Sequence, residues 1–169
     1  MNVSSNELQM AVLKACRGVG LPIAQAQDVA AAVAASPKAI PNFLKYLSQP
    51  LQRAYFDFSN GVEVKNANIL RDFAVCADAA IFGTSSVVIR NIEKCELIIA
   101  LARHRGVLVT TQSSDLRITD GIASELIFDR CDIDANDWTA IGQYAALTYV
   151  PETDQSRLDG AGAGLSDND

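Results

Sequence analysis

The only histidine of the chain, His104, is the first residue to consider for acid–base chemistry. A serine hydrolase would need this imidazole for its triad, and no G-x-S-x-G motif accompanies it. His104 lies instead in Arg103-His104-Arg105, directly before Gly106, where cationic side chains favourably meet the negative end of a helix dipole. We therefore predict that His104 has a structural role at the end of a helix.

Cysteine chemistry is the next candidate, because thiolates can bind metals or act as nucleophiles. The cysteines of this chain are dispersed, without the close pairs of a zinc site, and a single histidine excludes a multi-histidine metal site. Each cysteine lies among apolar neighbours, as is typical of a reduced thiol in a hydrophobic core. We predict no cofactor and no metal at these residues: Cys16, Cys76, Cys95 and Cys131.

A local acidic cluster comprises Asp132, Asp134, Asn136 and Asp137, whose alternating oxygen ligands resemble the start of a calcium loop. The sixth loop position is Asp137 where a calcium loop needs glycine, and the twelfth is Gln143 where it needs a bidentate glutamate. The alternative is helix capping by Asn136 or Asp137. We favour capping and predict no metal here.

The C-terminal residues 151–169 form an irregular segment in which Gly160, Gly162 and Gly164 alternate with alanines. No G-x-G-x-x-G motif opens a helix after a strand, no P-loop lysine follows, and the nearby acids would repel a phosphate. Composition alone favours a flexible tail. The alternative is an ordered segment in which Arg157 pairs with a carboxylate such as Asp167 or Asp169. We predict the ordered alternative.

The two ends of the chain carry a family resemblance. The sequence is S-N-E-L at 5–8 and K-A-C-R-G-V-G-L-P at 14–22, then Y-V-P at 149–151, S-R at 156–157, G-A-G-A-G at 160–164 and S-D-N-D at 166–169. These ends resemble those of an uncharacterised proteobacterial family of unknown function. The resemblance implies a bacterial cytosolic protein and transfers no catalytic residue. It also implies that Arg17-Gly18 and the glycine-rich end belong to the characteristic pattern of the protein.

Length and charge restrict the classes of protein. With 169 residues, of which 49% are hydrophobic, the chain predicts one globular domain over 1–169. A net charge of −6 argues against a surface that binds nucleic acid, since such binding rests on lysine and arginine displacing counterions. The apolar runs are far shorter than a membrane span, and no secretion signal is indicated. We expect an acidic, soluble, cytoplasmic protein.

Hydrophobic periodicity predicts the elements that position these residues. A capping box at Ser4 and Glu7 starts the first helix, which Gly18 and Gly20 end. Asn60-Gly61 and Asp120-Gly121 each predict a hairpin turn, with short strands expected at 87–89 and 107–111. Helices at the N-terminus, followed by hairpins and mixed segments, favour the α+β class. The other predicted helices cover 22–35, 41–48, 68–82, 91–106 and 137–146.

Two hypotheses about function remain open. The first, which we rank slightly higher, is a binding or assembly module that uses the glycine-rich C-terminal segment on its own domain or in a homo-oligomer. The second is an enzyme or small-molecule-binding protein for an anionic metabolite, with arginines binding its carboxylate bidentately. The predicted ligand-binding residues are Arg17, Arg157, Gly160, Gly162, Gly164, Asp167 and Asp169.

Overall fold

The computed structural model describes residues 1–59, 61–83, 86–122 and 129–148. The fold is of the α+β class, as predicted. Six α-helices are described: α1 (Ser5–Gly18), α2 (Ile23–Ala35), α3 (Ile40–Leu47), α4 (Ile69–Asp78), α5 (Glu96–Arg105) and α6 (Ala135–Ala146). A 3-10 turn (Pro37–Ala39) precedes α3, and a π-helical turn (Ala79–Gly83) extends α4. The described strands are β1 (Asn2–Ser4), β2 (Tyr55–Asp57), β3 (Val62–Lys65), β4 (Val87–Ile89), β5 (Val107–Gln112), β6 (Asp115–Asp120) and β7 (Arg130–Asp132).

The capping box predicted for the first helix is confirmed. The Glu7 amide donates to Ser4 Oγ at 3.2 Å, and the Ser4 amide donates to Glu7 Oε2 at 2.7 Å. Both bonds satisfy amides that the helix itself leaves free. The bond from the Ser4 amide is the main reason that the pKa of Glu7 lies below its ordinary value. The buried stripe of α1 then faces α2 and α6 and comprises Leu8, Val12, Ala15 and Cys16.

The main sheet has five strands in the order β2-β3-β4-β6-β5. β3 and β4 are parallel, and α4 connects them, whereas the other neighbours are antiparallel. The first predicted hairpin is confirmed because β2 pairs with β3, and Gly61 takes the positive φ of 104° that such a turn requires. Asn60 lies outside the described residues.

The hairpin predicted at Asp120-Gly121 is wrong. β6 ends at Asp120 and already pairs with β4 on one side and β5 on the other, so neither edge remains for a following strand. The hairpin turn lies between β5 and β6, where Gln112 pairs with Asp115 and Ser113 has a φ of 56°. Residues 123–128 of the predicted partner strand lie outside the described part of the chain.

Two predicted helix starts, at Asn91 and at Asn136 or Asp137, are also wrong. Asn91 does not begin a helix but sits in a turn with a φ of 56°, and Cys95 occupies the N-cap of α5. Before α6, the cap is Asp134, whose Oδ1 accepts the Asn136 amide at 2.8 Å. Asp134 fits the geometry of an N-cap because its backbone is extended and its side chain accepts the amide of the second residue after it. Asn136 is already part of the helix.

The interpretation of the cysteines as core thiols is confirmed for Cys16 and Cys76, which are fully buried. Burial raises the pKa of each of these thiols to about 12, so neither is a thiolate at neutral pH. Cys95 and Cys131 are only half-buried and pack against the same core. That core lies between the sheet and the helices, with Phe43 and Phe73 as its largest fully buried side chains.

No helix in the described part of the chain has the length and apolar character needed to cross a membrane.

Candidate functional site

Arg17 is the one predicted site residue that lies in the described part of the chain. It occupies the last turn of α1, is exposed, and donates through Nη1 to the carbonyl oxygen of Leu21 at 2.5 Å. This bond holds the guanidinium over the turn between α1 and α2. The other predicted site residues lie outside the described residues: Arg157, Gly160, Gly162, Gly164, Asp167 and Asp169.

Gly18, the neighbour of Arg17, lies at a close contact between α1 and the C-terminal end of α6. A β-carbon at this position would lie 2.1 Å from the carbonyl oxygen of Tyr144 and 3.1 Å from Leu147 Cβ. No real contact is as short as the first of these, so a larger residue would push the helices apart. The Arg17-Gly18 pair therefore combines a charge at the surface with a close backbone contact beneath it.

A pocket of 430 Å³ lies beside this contact, and we call it the basic pocket. Its two charged side chains are Lys14 and Arg17, which lie three residues apart on one face of α1. Thr148, the last described residue after α6, is part of the wall. The apolar wall is contributed by Leu13, Ile23 and Leu147, of which Ile23 and Leu147 are more than half exposed, at 53% and 63%.

A second hollow, of 410 Å³, continues from the basic pocket along the α1–α6 contact and shares Lys14 with it. Its wall is mostly apolar, with Met10 of α1 facing Trp138 of α6. The exposed fraction of Met10 is 45%, which is high for a large apolar side chain. We refer to the two hollows together as the α1–α6 groove; the further residues of the second hollow are Glu7, Ala11, Gly142, Ala145 and Ala146.

The basic pocket has the chemistry of an anion-binding surface with an apolar wall, whereas the second hollow also carries the acidic Glu7. A guanidinium presents a planar fork of donors that matches a carboxylate, and an ammonium acts as a point charge with rotatable donors. Among the described residues, the hydrogen-bond partner of Arg17 is the Leu21 carbonyl, and the Arg17 side chain lines the pocket. Two cationic side chains beside an apolar wall are groups of the kind that recognise a carboxylate attached to an apolar group.

His104 lies at the last turn of α5, as predicted, and the structure adds a partner that the sequence did not indicate. Its Nε2 is 3.4 Å from Oδ1 of Asp28 on α2, and Arg105 Nη1 is 3.1 Å from Oδ2 of the same carboxylate. Arg105 also contacts Asp78 on α4. His104 thus belongs to a cluster that connects three helices, and this supports its predicted structural role.

The acidic cluster does not converge on a metal position. Asp132 Oδ1 accepts from Asn2 Nδ2 at 2.9 Å, and Asp134 caps α6. Within the described ranges, no group of three or more histidine, cysteine, aspartate or glutamate residues has the geometry to hold a metal ion.

A network of charges at the end of β4 was missed by sequence reasoning. Arg90 donates to Glu63 Oε2 and to Asp115 Oδ2, both at 2.5 Å, and the Asn91 amide donates to Asp115 Oδ1 at 3.1 Å. The bond from Arg90 lowers the pKa of Glu63, and the Asn91 amide, followed by Arg90, lowers the pKa of Asp115. Each partner comes from a different strand or turn, so no local motif could indicate the network.

This network predicts acid-sensitive stability. The folded-state pKa values of Glu63 and Asp115 lie below their ordinary values of 4.5 and 3.8. Their contribution to the stability of the fold is therefore present above the ordinary values and is lost as the pH falls through the folded-state values. We expect the melting temperature to fall from pH 6 to about pH 3, and to fall less steeply in Arg90→Met. Thermal melts followed by circular dichroism measure both slopes. Equal slopes would show that Arg90 does not stabilise these carboxylates.

No protein-family model, curated protein or solved structure matches this chain, so the resemblance of its two ends to a proteobacterial family stays a prediction.

Proposed function

We propose that the protein is a binding and assembly module in which the acidic C-terminal segment, residues 149–169, binds the α1–α6 groove of its own or of a second copy. The observation that carries this proposal is that Thr148, directly before the segment, lines the same pocket as Lys14 and Arg17. The segment therefore begins within reach of both cations.

Charge supports the pairing. The segment contains five carboxylates and one arginine, hence a net charge of −4, whereas the charged side chains of the basic pocket are both cationic. Attraction between these groups also raises the rate of encounter, and salt weakens it. The apolar part of the groove, including Met10 and Trp138, offers a surface for Tyr149, Val150 or Leu158 of the segment.

The first experiment is deletion of residues 156–169. We expect the shortened chain to have a lower melting temperature or a changed oligomeric state, because the deletion removes Asp159, Asp167 and Asp169 as partners of the groove. Differential scanning fluorimetry and analytical ultracentrifugation measure the two quantities. If both stay unchanged, and amide exchange shows residues 149–169 unprotected in the full chain, the proposal fails.

The second experiment supplies the segment in trans. A synthetic peptide of residues 149–169 is titrated into a chain of residues 1–148 whose fold has first been verified by circular dichroism. Fluorescence anisotropy should show binding that weakens with salt. We expect Arg17→Gln with Lys14→Gln to weaken it by about tenfold or more, since each charge-assisted contact contributes about 1 kcal/mol or more when partly buried. Lys45→Gln, on α3 and outside the groove, is the matched control.

A small carboxylate metabolite is the second candidate ligand, and the specific observation in its favour is that the Arg17 guanidinium, which donates to the Leu21 carbonyl, lines a 430 Å³ pocket together with Lys14. Citrate and succinate are suitable probes, because a ligand that binds only the folded chain raises its melting temperature. A rise that disappears in Arg17→Gln favours this candidate. A rise in melting temperature that is seen only in the chain of residues 1–148 would indicate that the carboxylate and the C-terminal segment compete for the same pocket.

A further inference from the structure

The outer edge of β2 is the edge at which the five-stranded sheet can extend. The carbonyl oxygen of Val64 on β3 accepts the Arg90 amide at 2.9 Å, so the peptide groups of Val64 point toward β4 and away from β2. Its partner Phe56 is therefore in a pair without hydrogen bonds, and the amide and carbonyl of Phe56 point outward. Among the described residues no strand pairs with this edge.

The sequence along this edge is self-complementary in charge. If β2 pairs antiparallel with β2 of a second copy around Tyr55, then Arg53 of each copy lies opposite Asp57 of the other. The same register places Ala54, the residue directly before β2, opposite Phe56, whose outward-pointing peptide groups can bond to it when the strand extends by one residue. Charge and backbone direction thus select the same register.

Large apolar side chains are exposed at this edge, as Leu108 is at the opposite edge, where its exposed fraction is 59%. The exposed fraction of Tyr55 is 62% and that of Phe58 is 69%, and the Phe58 ring stacks on Phe56 with the ring centroids 6.4 Å apart. At the opposite edge of the sheet, by contrast, Lys94 Nζ donates to the β5 carbonyl of Val109 at 3.2 Å. A lysine at an edge strand discourages pairing with another chain.

We propose that β2 is the interface of a homodimer, in which the two copies pair β2 with β2 around a two-fold axis at Tyr55 and form one continuous sheet. A two-fold axis requires a self-complementary patch, and the segment Arg53–Asp57 provides one in charge, hydrogen bonding and apolar surface. The interface uses no residue of the α1–α6 groove. Its test is therefore independent of the function proposed above.

The first test is charge reversal in the full-length chain. Arg53 is exposed and has no ion-pair partner in the described part of the chain, so Arg53→Asp should leave the fold intact. It places like charges opposite each other at both ends of the paired strands, and we expect the dimer dissociation constant to rise about tenfold or more. Arg53→Lys should keep the dimer. Arg103→Asp, on exposed α5 surface, changes the net charge equally and serves as the control.

The second test is a disulfide across the two-fold axis. Residues opposite each other in an antiparallel pair without hydrogen bonds have Cα atoms about 4.5 Å apart, within the range that a disulfide spans. Tyr55→Cys should therefore give a covalent dimer under mild oxidation, while the wild-type chain and Leu108→Cys on β5 should not. A monomer in sedimentation at roughly 100 µM, where a dimer with a micromolar dissociation constant would be populated, overturns the proposal. A dimer unaffected by Arg53→Asp and not cross-linked through Tyr55→Cys overturns it as well.

Discussion

Gly18→Ala should lower the free energy of unfolding by about 2 kcal/mol or more, and the melting temperature by about 4–8 °C. The added β-carbon would lie 2.1 Å from the carbonyl oxygen of Tyr144, which is backbone and cannot rotate away. Alanine favours a helix over glycine by about 1 kcal/mol, so the steric cost must exceed that gain for the chain to be destabilised. We expect it to do so because α1 and α6 would have to separate along their contact.

Gly142→Ala on α6 is the matched control, since a β-carbon there would meet no atom within 4 Å. It should stabilise the chain slightly through helix propensity, by up to about 1 kcal/mol. Chemical denaturation of both variants measures the difference. If Gly18→Ala is as stable as Gly142→Ala, then α1 and α6 do not approach as closely as described. The geometry of the basic pocket, which depends on this contact, would then be wrong as well.

Asp72→Ala should have a similar or larger effect, with a loss of about 3 kcal/mol of unfolding free energy. The buried carboxylate of Asp72 accepts the Asn68 amide at 2.8 Å and Arg71 Nε at 2.7 Å. Arg71 in turn donates to the Leu51 carbonyl, so the carboxylate connects the start of α4 to the loop before β2. Removal leaves a buried amide without an acceptor and a guanidinium without its counter-ion.

Asp72→Asn and Asp78→Ala separate the parts of this effect. Asparagine keeps one oxygen to accept the Asn68 amide but loses the charge and replaces the oxygen that accepts Arg71 Nε by an amide donor, so its cost should lie between those of the wild type and Asp72→Ala. Asp78 also pairs with an arginine, but its side chain is 51% exposed, so Asp78→Ala should cost under about 1 kcal/mol. Equal losses for Asp72→Ala and Asp78→Ala would show that burial does not decide the contribution.

Local patterns predicted the parts of the fold that depend on neighbours in sequence. The spacing of Ser4 and Glu7 predicted the start of α1, and Asn60-Gly61 predicted the β2–β3 hairpin, because both motifs depend only on residues close together in sequence. The Asp120-Gly121 motif is equally local, yet the hairpin predicted from it is wrong because β6 is already paired on both sides. The residues of a turn do not determine which edges of the preceding strand are already paired with other strands.

Long-range contacts were beyond the reach of the sequence. β1 and β7 form a two-stranded sheet in which Val3 pairs with Cys131, and neither strand is long enough to show a period. The sequence indicated Arg17 as a site residue and Gly18 as the end of a helix, but not that α6 lies against Gly18. The sequence likewise did not indicate that Lys14 lines a pocket with Arg17, although its spacing of three residues from Arg17 on α1 could have indicated a shared face.

The most direct test of the proposed function is zero-length cross-linking with a carbodiimide, which joins a lysine amine only to a carboxylate in contact with it. In the full-length chain, we expect Lys14 to be joined to one or more of the acidic residues of the C-terminal segment, and mass spectrometry of digested protein identifies the pair. A mixture of ¹⁴N- and ¹⁵N-labelled chains shows whether the partner lies in the same copy or in a second one. Cross-links from Lys14 to residues 149–169 that are no more abundant than those from Lys45 would contradict the proposal.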